Sequence, residues 1–177
     1  MKTVPFTKSQ IETLAKEHPT PLYIYDEQRI RATAQRVKKA FSWNKGYQNF
    51  YAVKALPNPY VLEILLSEGQ GSDCSSQGEL EISRAVGCTG ENIMFSSNDT
   101  PREDFERALE LGAIINFDDI THIDYFESEF DRLPEISCCR YNPGPLKAGP
   151  AVNFIGDPAE VKYGFTLDQL VDGYRML

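Results

Sequence analysis

The chain has 177 residues, of which 41% are hydrophobic and 25% charged, ordinary proportions for a globular chain that forms one domain or a piece of one. Its 26 acidic residues against 18 basic ones give a net charge of −8, which argues against nucleic acid or an anionic membrane as partner. No stretch approaches a membrane span and the N-terminus lacks the apolar core of a signal peptide, so a cytoplasmic location is expected.

In chain order, Ile11 to Lys16 reads as a short helix, and Leu22 to Tyr25, fenced by Pro19 and Pro21, as a strand. Residues 1–26 thus read as an N-terminal helix and entry strand, and 27–177 as a separate unit. Asp26 caps a basic amphipathic helix from about Glu27 to Phe41. Its Arg29, Arg31, Arg36, Lys38 and Lys39 form a solvated face.

Phe50-Tyr51-Ala52-Val53 is a wholly apolar run of strand length, which reads as a strand buried on both faces of a parallel sheet. It ends in Lys54, and helix-start punctuation follows at Pro57-Asn58-Pro59. An ammonium at a strand end facing the mouth of a fold is costly unless paired, deprotonated or covalently bonded. A desolvated lysine is the amine that forms Schiff bases with aldehydes. A lysine simply reaching to solvent is the other reading the local pattern allows.

Similar units follow. Gly71 to Ser75 is a short strand, and Ser76 with Glu79 forms a capping box for a helix from Gln77 to Val86. Ile93-Met94-Phe95 is a strand, after which Thr100 caps, Pro101 takes the first helical position and Glu103 closes a second box for a helix ending near Leu111. Ala113 to Phe117 is the next strand, Ile120 to Phe130 a helix, Glu135 to Arg140 a fifth strand, and Thr166 to Met176 a last helix. Strands alternating with helices imply parallel pairing through right-handed crossovers, in a doubly wound sheet or a (β/α)8 barrel. The tight, regular spacing favours the barrel.

In a barrel, chemistry gathers where strands end and helices begin. The polar residues there are Lys54, Asp73 with Ser75, Ser96 with Asn98, Asn116 with Asp118, and Arg140 with Asn142. Ser76, Thr100, Asp118 and Asn98 are explained by capping and turn chemistry. Lys54, Asp73 and Arg140 are the candidate site: an amine, an acid and a fixed cation at a common mouth suit an electrophilic cofactor. Cys74, Cys88, Cys138 and Cys139 have no metal-type or redox spacing, and His18 and His122 stand alone, so no metal site is expected. No phosphate-binding Walker loop or dinucleotide glycine fingerprint occurs.

Phe50-Tyr51-Ala52-Val53-Lys54-Ala55, Asp73-Cys74-Ser75-Ser76 with Gly78-Glu79-Leu80, Arg140-Tyr141-Asn142-Pro143-Gly144 and Lys162-Tyr163-Gly164-Phe165 occur in an order and spacing that resembles the barrel-type pyridoxal-phosphate decarboxylases, the diaminopimelate decarboxylase branch above all. The Phe95-Ser96-Ser97-Asn98-Asp99-Thr100-Pro101 segment resembles one branch of the same family, and the likeness runs from the Thr20-to-Asp26 entry strand to Phe165. The resemblance implies an α/β fold, a partial (β/α)8 TIM barrel of the alanine racemase-like type with about five barrel strands. It implies pyridoxal 5'-phosphate as cofactor, Lys54 as its attachment point and proton shuttle, Asp73 as an acid beside it, and Arg140 as support for its pocket. Tyr141 to Phe165 would be the long segment near the substrate entrance, and Glu79 an acid of the family motif whose capping role already explains it. The implied reaction is decarboxylation of meso-diaminopimelate to L-lysine, in a homodimer when full length.

A complete barrel takes about 250 residues. The comparison therefore predicts a truncated form, without the ring-stacking histidine, glycine-rich phosphate loop, pyridine-pairing acid and trailing β domain of the family, and with little activity by itself. Two other readings are a non-catalytic barrel fragment that binds cofactor or a partner, and a decarboxylase for ornithine, arginine or a carboxylated polyamine.

Overall fold

The computed structural model describes residues 4–142 and 163–177. Helix α1 (Lys8–Glu17) is capped by Thr7 in a reciprocal box with Gln10 and buries none of its residues. Helix α2 (Glu27–Ala40) starts where Asp26 accepts the Arg29 amide at 3.1 Å. Between them, Leu22 to Tyr25 is not a strand. No backbone partner lies beside it among the described residues, Tyr23 is 87% exposed, and a strand's amides need a neighbour to bond. Ile24 and Tyr25 instead edge an apolar groove of about 470 Å³ that they share with Ile30, Val37, Leu56 and Leu65.

Five strands form one parallel sheet: β1 (Phe50–Ala52), β2 (Gly71–Cys74), β3 (Ile93–Ser97), β4 (Ile114–Phe117) and β5 (Ser137–Cys139), paired in sequence order. The helices between them are α3 (Pro59–Ser67), α4 (Gln77–Ala85), α5 (Arg102–Glu110) and α6 (Thr121–Phe130), and α7 (Leu167–Met176) follows. A doubly wound sheet reverses its strand order at a switch point, whereas this order runs straight through, as it does around a barrel wall. The expected fold is therefore present as a five-stranded arc.

Strands β3 and β4 alternate between a buried and a partly buried face, whereas β1 and β5 are partly buried throughout. Cys74, Ile93, Phe95, Ile115 and Phe117 point to the helices and are at most 1% exposed. They join Leu62, Leu80, Phe105, Ala108, Ile123 and Phe126 in one core. Phe105 and Phe126 meet edge to face at 5.1 Å, and Phe117 meets Phe126 at 5.7 Å, the geometry that aromatic quadrupoles favour. The alternate residues Asp73, Met94, Ser96, Ile114, Asn116 and Cys138 lie on the other face and are only partly buried. Among the described residues the sheet is thus covered on one side rather than buried on both, as the inner wall of an arc would be.

Two sequence expectations fail at helix starts. Thr100 does not cap α5; its hydroxyl is buried without a hydrogen-bond partner. Pro101 is itself the boundary residue, with an extended ψ of 160°, so the helix starts at Arg102. At α4 the cap holds, with the Glu79 amide donating to Ser76 Oγ at 3.4 Å, but the returning carboxylate reaches one residue further and accepts the Ser75 amide at 2.9 Å.

The far end of the sheet is closed by Phe165, which is fully buried. Its amide donates to the Arg140 carbonyl at 2.6 Å and its carbonyl accepts from Asn142 at 2.8 Å, which gives a single parallel bridge between Tyr141 and Phe165. Gly164 makes this possible. Its φ is +85°, and a Cβ there would stand 2.9 Å from the Arg140 carbonyl oxygen.

Candidate active site

The three residues singled out from the sequence all lie at the C-terminal ends of strands. Lys54 is not the last residue of β1, which stops at Ala52; it sits in a 3₁₀ turn, Val53–Ala55, whose Val53 is buried while Lys54 is exposed. The turn lets an apolar anchor and a free amine stand next to each other. Asp73 is the third residue of β2, paired in register with Ala52, and so lies one strand from that turn. Arg140 follows β5 directly and its amide continues the ladder to the Phe117 carbonyl at 2.9 Å.

These groups share one electrostatic neighbourhood. Burial raises the Asp73 carboxyl above its ordinary pKa. The nearby Ser96 hydroxyl and the charges of Lys54 and Arg140 oppose that shift, while the Glu79 carboxylate adds to it. The helix-facing neighbour Cys74 behaves differently: burial drives its thiol up to about 12, and its sulfur lies 3.3 Å from Ser83 Oγ. Cys74 is a core residue and Asp73 a site residue, adjacent in sequence and on opposite faces.

Sequence reasoning missed what holds Arg140. Its guanidinium donates to Asp118 at 2.7 Å, and Asp118 is not a helix cap but a side chain 5% exposed beyond the end of β4. The boundary residue of α6 is Ile120, which has no side-chain cap, and Asp119 accepts the Thr121 amide at 2.9 Å in the turn that leads into the helix. Two consecutive aspartates split the work, and the Asp118-Asp119 doublet was the only sequence sign of it. Arg140 also stacks on the Tyr163 ring, 5.3 Å from its centroid.

A second missed feature lies on the open face. Asn116 Nδ2 donates to Ser96 Oγ at 3.0 Å, a polar contact across two adjacent strands. Alternation about the buried Phe95 and Phe117 puts Ser96 and Asn116 on one face, but only the register Ser96↔Asn116 brings them into contact. The stretch from Tyr141 to Phe165, expected at the substrate entrance, is described only at its ends, since residues 143–162 lie outside the described residues. Among the described residues, no helix is long and apolar enough to cross a membrane.

This constellation falls within a known family. Residues 27–177 match the pyridoxal-binding domain of the pyridoxal-dependent decarboxylases, and the chain belongs to that family. Among curated relatives, TabA of Pseudomonas amygdali pv. tabaci is 36% identical over 165 residues, covering 93% of this chain and 38% of that protein. Diaminopimelate decarboxylase of Methanothermobacter thermautotrophicus is 38% identical over 170 residues, covering 92% of this chain and 38% of its own. The solved diaminopimelate decarboxylase of Helicobacter pylori, complexed with L-lysine, superposes with a TM-score of 0.78 at 27% identity, over 93% of this chain and 42% of that one. Lysine decarboxylase of Selenomonas ruminantium shares the fold, with a TM-score of 0.81 at 22% identity, over 99% of this chain and 43% of that one. The chain spans about 40% of the length of the curated relatives it matches.

Pyridoxal phosphate is the cofactor of this family. The residues present fit its aldehyde end: Lys54 is an exposed amine at a strand end, and Asp73 Oδ1 is buried with no hydrogen-bond partner in the protein. An unfilled buried carboxylate oxygen is costly unless a ligand completes it.

Proposed function

We propose that this half-barrel serves pyridoxal-phosphate-dependent decarboxylation of an amino acid, with meso-diaminopimelate as substrate and L-lysine as product. The observation that carries the reading is the exposed Lys54 amine set electrostatically against the partly buried Asp73 carboxyl, whose Oδ1 has no hydrogen-bond partner. The substrate assignment is supported by the 38% identity to a diaminopimelate decarboxylase over 92% of the chain.

Lys54 Nζ would hold the cofactor by its aldehyde and, when free, would carry a proton at the mouth. Asp73 holds negative charge beside it. Arg140, fixed by Asp118, supplies a cation whose position does not depend on a flexible side chain finding its place. When bound, pyridoxal phosphate supplies an electron sink for the pair left behind as carbon dioxide departs. Among the described residues the face that carries the site is only partly covered, and electrostatic stabilisation is weak where water enters, so the chain by itself is expected to turn over poorly. The full assembly is a homodimer in this reading.

The test is borohydride reduction of the chain after addition of pyridoxal phosphate, followed by peptide mass spectrometry, with Lys54→Ala as control. A reduced pyridoxyl adduct on the Lys54 peptide is expected, and equal labelling of the two proteins would overturn the assignment. Substantial lysine formation from diaminopimelate by the chain alone would overturn the claim of poor turnover.

A further inference from the structure

We propose that the apolar groove beside β1 is a binding site for a small, neutral, apolar molecule that carries one carbonyl group, with the Gln70 side-chain amide as donor to that carbonyl. The site is separate from the one around Lys54 and does not depend on the function proposed above.

The groove has a volume of about 470 Å³, the size of cleft that encloses a small organic ligand. Its walls are mainly aliphatic: Ile30 and Val37 come from α2, Val61 and Leu65 from α3, and Leu56 from the stretch between the Lys54 turn and α3. Strand β1 contributes Tyr51, which pairs in register with the buried Ser72 and packs against the core, while its neighbour Ala52 pairs with Asp73. Alternation along the strand therefore puts the groove and the candidate active site on opposite faces of the sheet.

Donor counting supplies the chemistry of the occupant. Gln70 lines the groove although only 5% of it is exposed. Its Oε1 accepts from Asn49 Nδ2, and Asn49 Oδ1 accepts from the Tyr47 hydroxyl at 3.4 Å. These bonds run one way, from phenol to amide to amide, and they end at Gln70 Nε2, which has no acceptor among the described residues. A primary amide nitrogen carries two donor hydrogens, and leaving them unbonded in a buried side chain costs free energy that a ligand oxygen would recover. The Tyr51 hydroxyl likewise makes no hydrogen bond among the described residues, and burial raises its pKa, so it stands in the groove as a neutral donor.

The same inventory selects against a charged head group. Among the described residues that line the groove, the one cation is Arg29, and its guanidinium already faces Asp26 at 3.4 Å. A carboxylate would be buried with no free charge to meet it, and an ammonium would find only donors at Gln70 Nε2. A neutral carbonyl oxygen accepts a hydrogen bond without either cost, and an alkyl body covers the aliphatic walls.

The experiment is an amide NMR titration of the whole chain with methyl hexyl ketone, and with octanoate and octylammonium as probes of the same length. The ketone is expected to give saturable shifts at Ile30, Val37 and Leu65 and a downfield shift of the Gln70 side-chain amide protons, with both charged probes bound about 10-fold more weakly. Gln70→Met, which keeps the length and removes the donor, is expected to weaken the ketone about 5-fold, the worth of one ordinary hydrogen bond. Saturable binding elsewhere or none at all, octanoate equal to the ketone, or an unchanged affinity in a well-dispersed Gln70→Met spectrum overturns the proposal. If Gln70→Met does not fold, the Gln70 side-chain signal of the parent decides: unmoved protons at saturation overturn the assignment of the donor. Shifts at the groove residues that follow protein concentration without ketone would place a second copy there and overturn it as well.

Discussion

Replacing Arg140 by alanine is expected to cost the fold more than replacing Asp118 by asparagine, although the two side chains form one ion pair. The asymmetry comes from their burial, since the Asp118 side chain is 5% exposed and that of Arg140 44%. Without the guanidinium, a buried carboxylate loses its charged partner, an event worth about 3–5 kcal/mol for a fully buried pair. The open side of Arg140 reduces this to about 2 kcal/mol, because water reaches the vacated place, and the lost stacking on Tyr163 adds about 0.5–1 kcal/mol. Asparagine at 118 still offers an acceptor to a guanidinium that can also turn to water, for a loss of about 1 kcal/mol. The Gly164 amide bonds the backbone carbonyl of residue 118 at 2.9 Å and is untouched by either change. Urea unfolding followed by circular dichroism at pH 7 measures all three variants. The double variant should lie well below the sum of the singles, since no buried charge is left in it. Equal single losses, or a double variant that equals their sum, would refute the reasoning.

Two further outcomes follow from burial. Asp73→Asn should be more stable than the parent at pH 7, with the gain vanishing toward pH 3. Burial holds the folded-state carboxyl above its unfolded pKa, so the parent loses stability as pH rises through the folded value and the amide does not. Melting temperatures across that range check it, and a gain that grows toward acid would count against it. Cys74, fully buried with its thiol near 12, should resist iodoacetamide at pH 8 in the native protein and react on unfolding. Native labelling of Cys74 ahead of Cys138 and Cys139 would contradict the core placement.

Much of the arc was legible in the sequence because its units are locally determined. An apolar run followed by a capped amphipathic stretch located all five strands and the helices after them, to within one or two residues at most ends. The failures fall where the outcome depends on something distant. Leu22 to Tyr25 has strand composition, but strands exist only in pairs and no pairing neighbour is among the described residues. Thr100 has the spacing of a cap, yet the extended ψ of Pro101 moves the helix start past its reach. Asp118 and Asp119 are locally equivalent, and only the fold reveals that Asp119 bonds Thr121 in the turn before α6 while Asp118 holds Arg140. Ser96 and Asn116 were visible as strand-end polar residues. Their contact needed the strand register, which no local pattern encodes.

The bridge between Tyr141 and Phe165 bears on how such a site could vary among relatives. Phe165 and Arg140 are tied through the backbone, and Arg140 is tied to Asp118, so the chain leaves this corner at Asn142 and returns to it at Tyr163 with both ends pinned. The arginine is thus held from more than one side, by backbone bonds through Phe165 and by the side-chain pair with Asp118. A substitution at any one of these ties leaves the others in place, so residues at this corner can change one at a time while the cation keeps its position at the strand end, a redundancy that lets one chemical scaffold diversify.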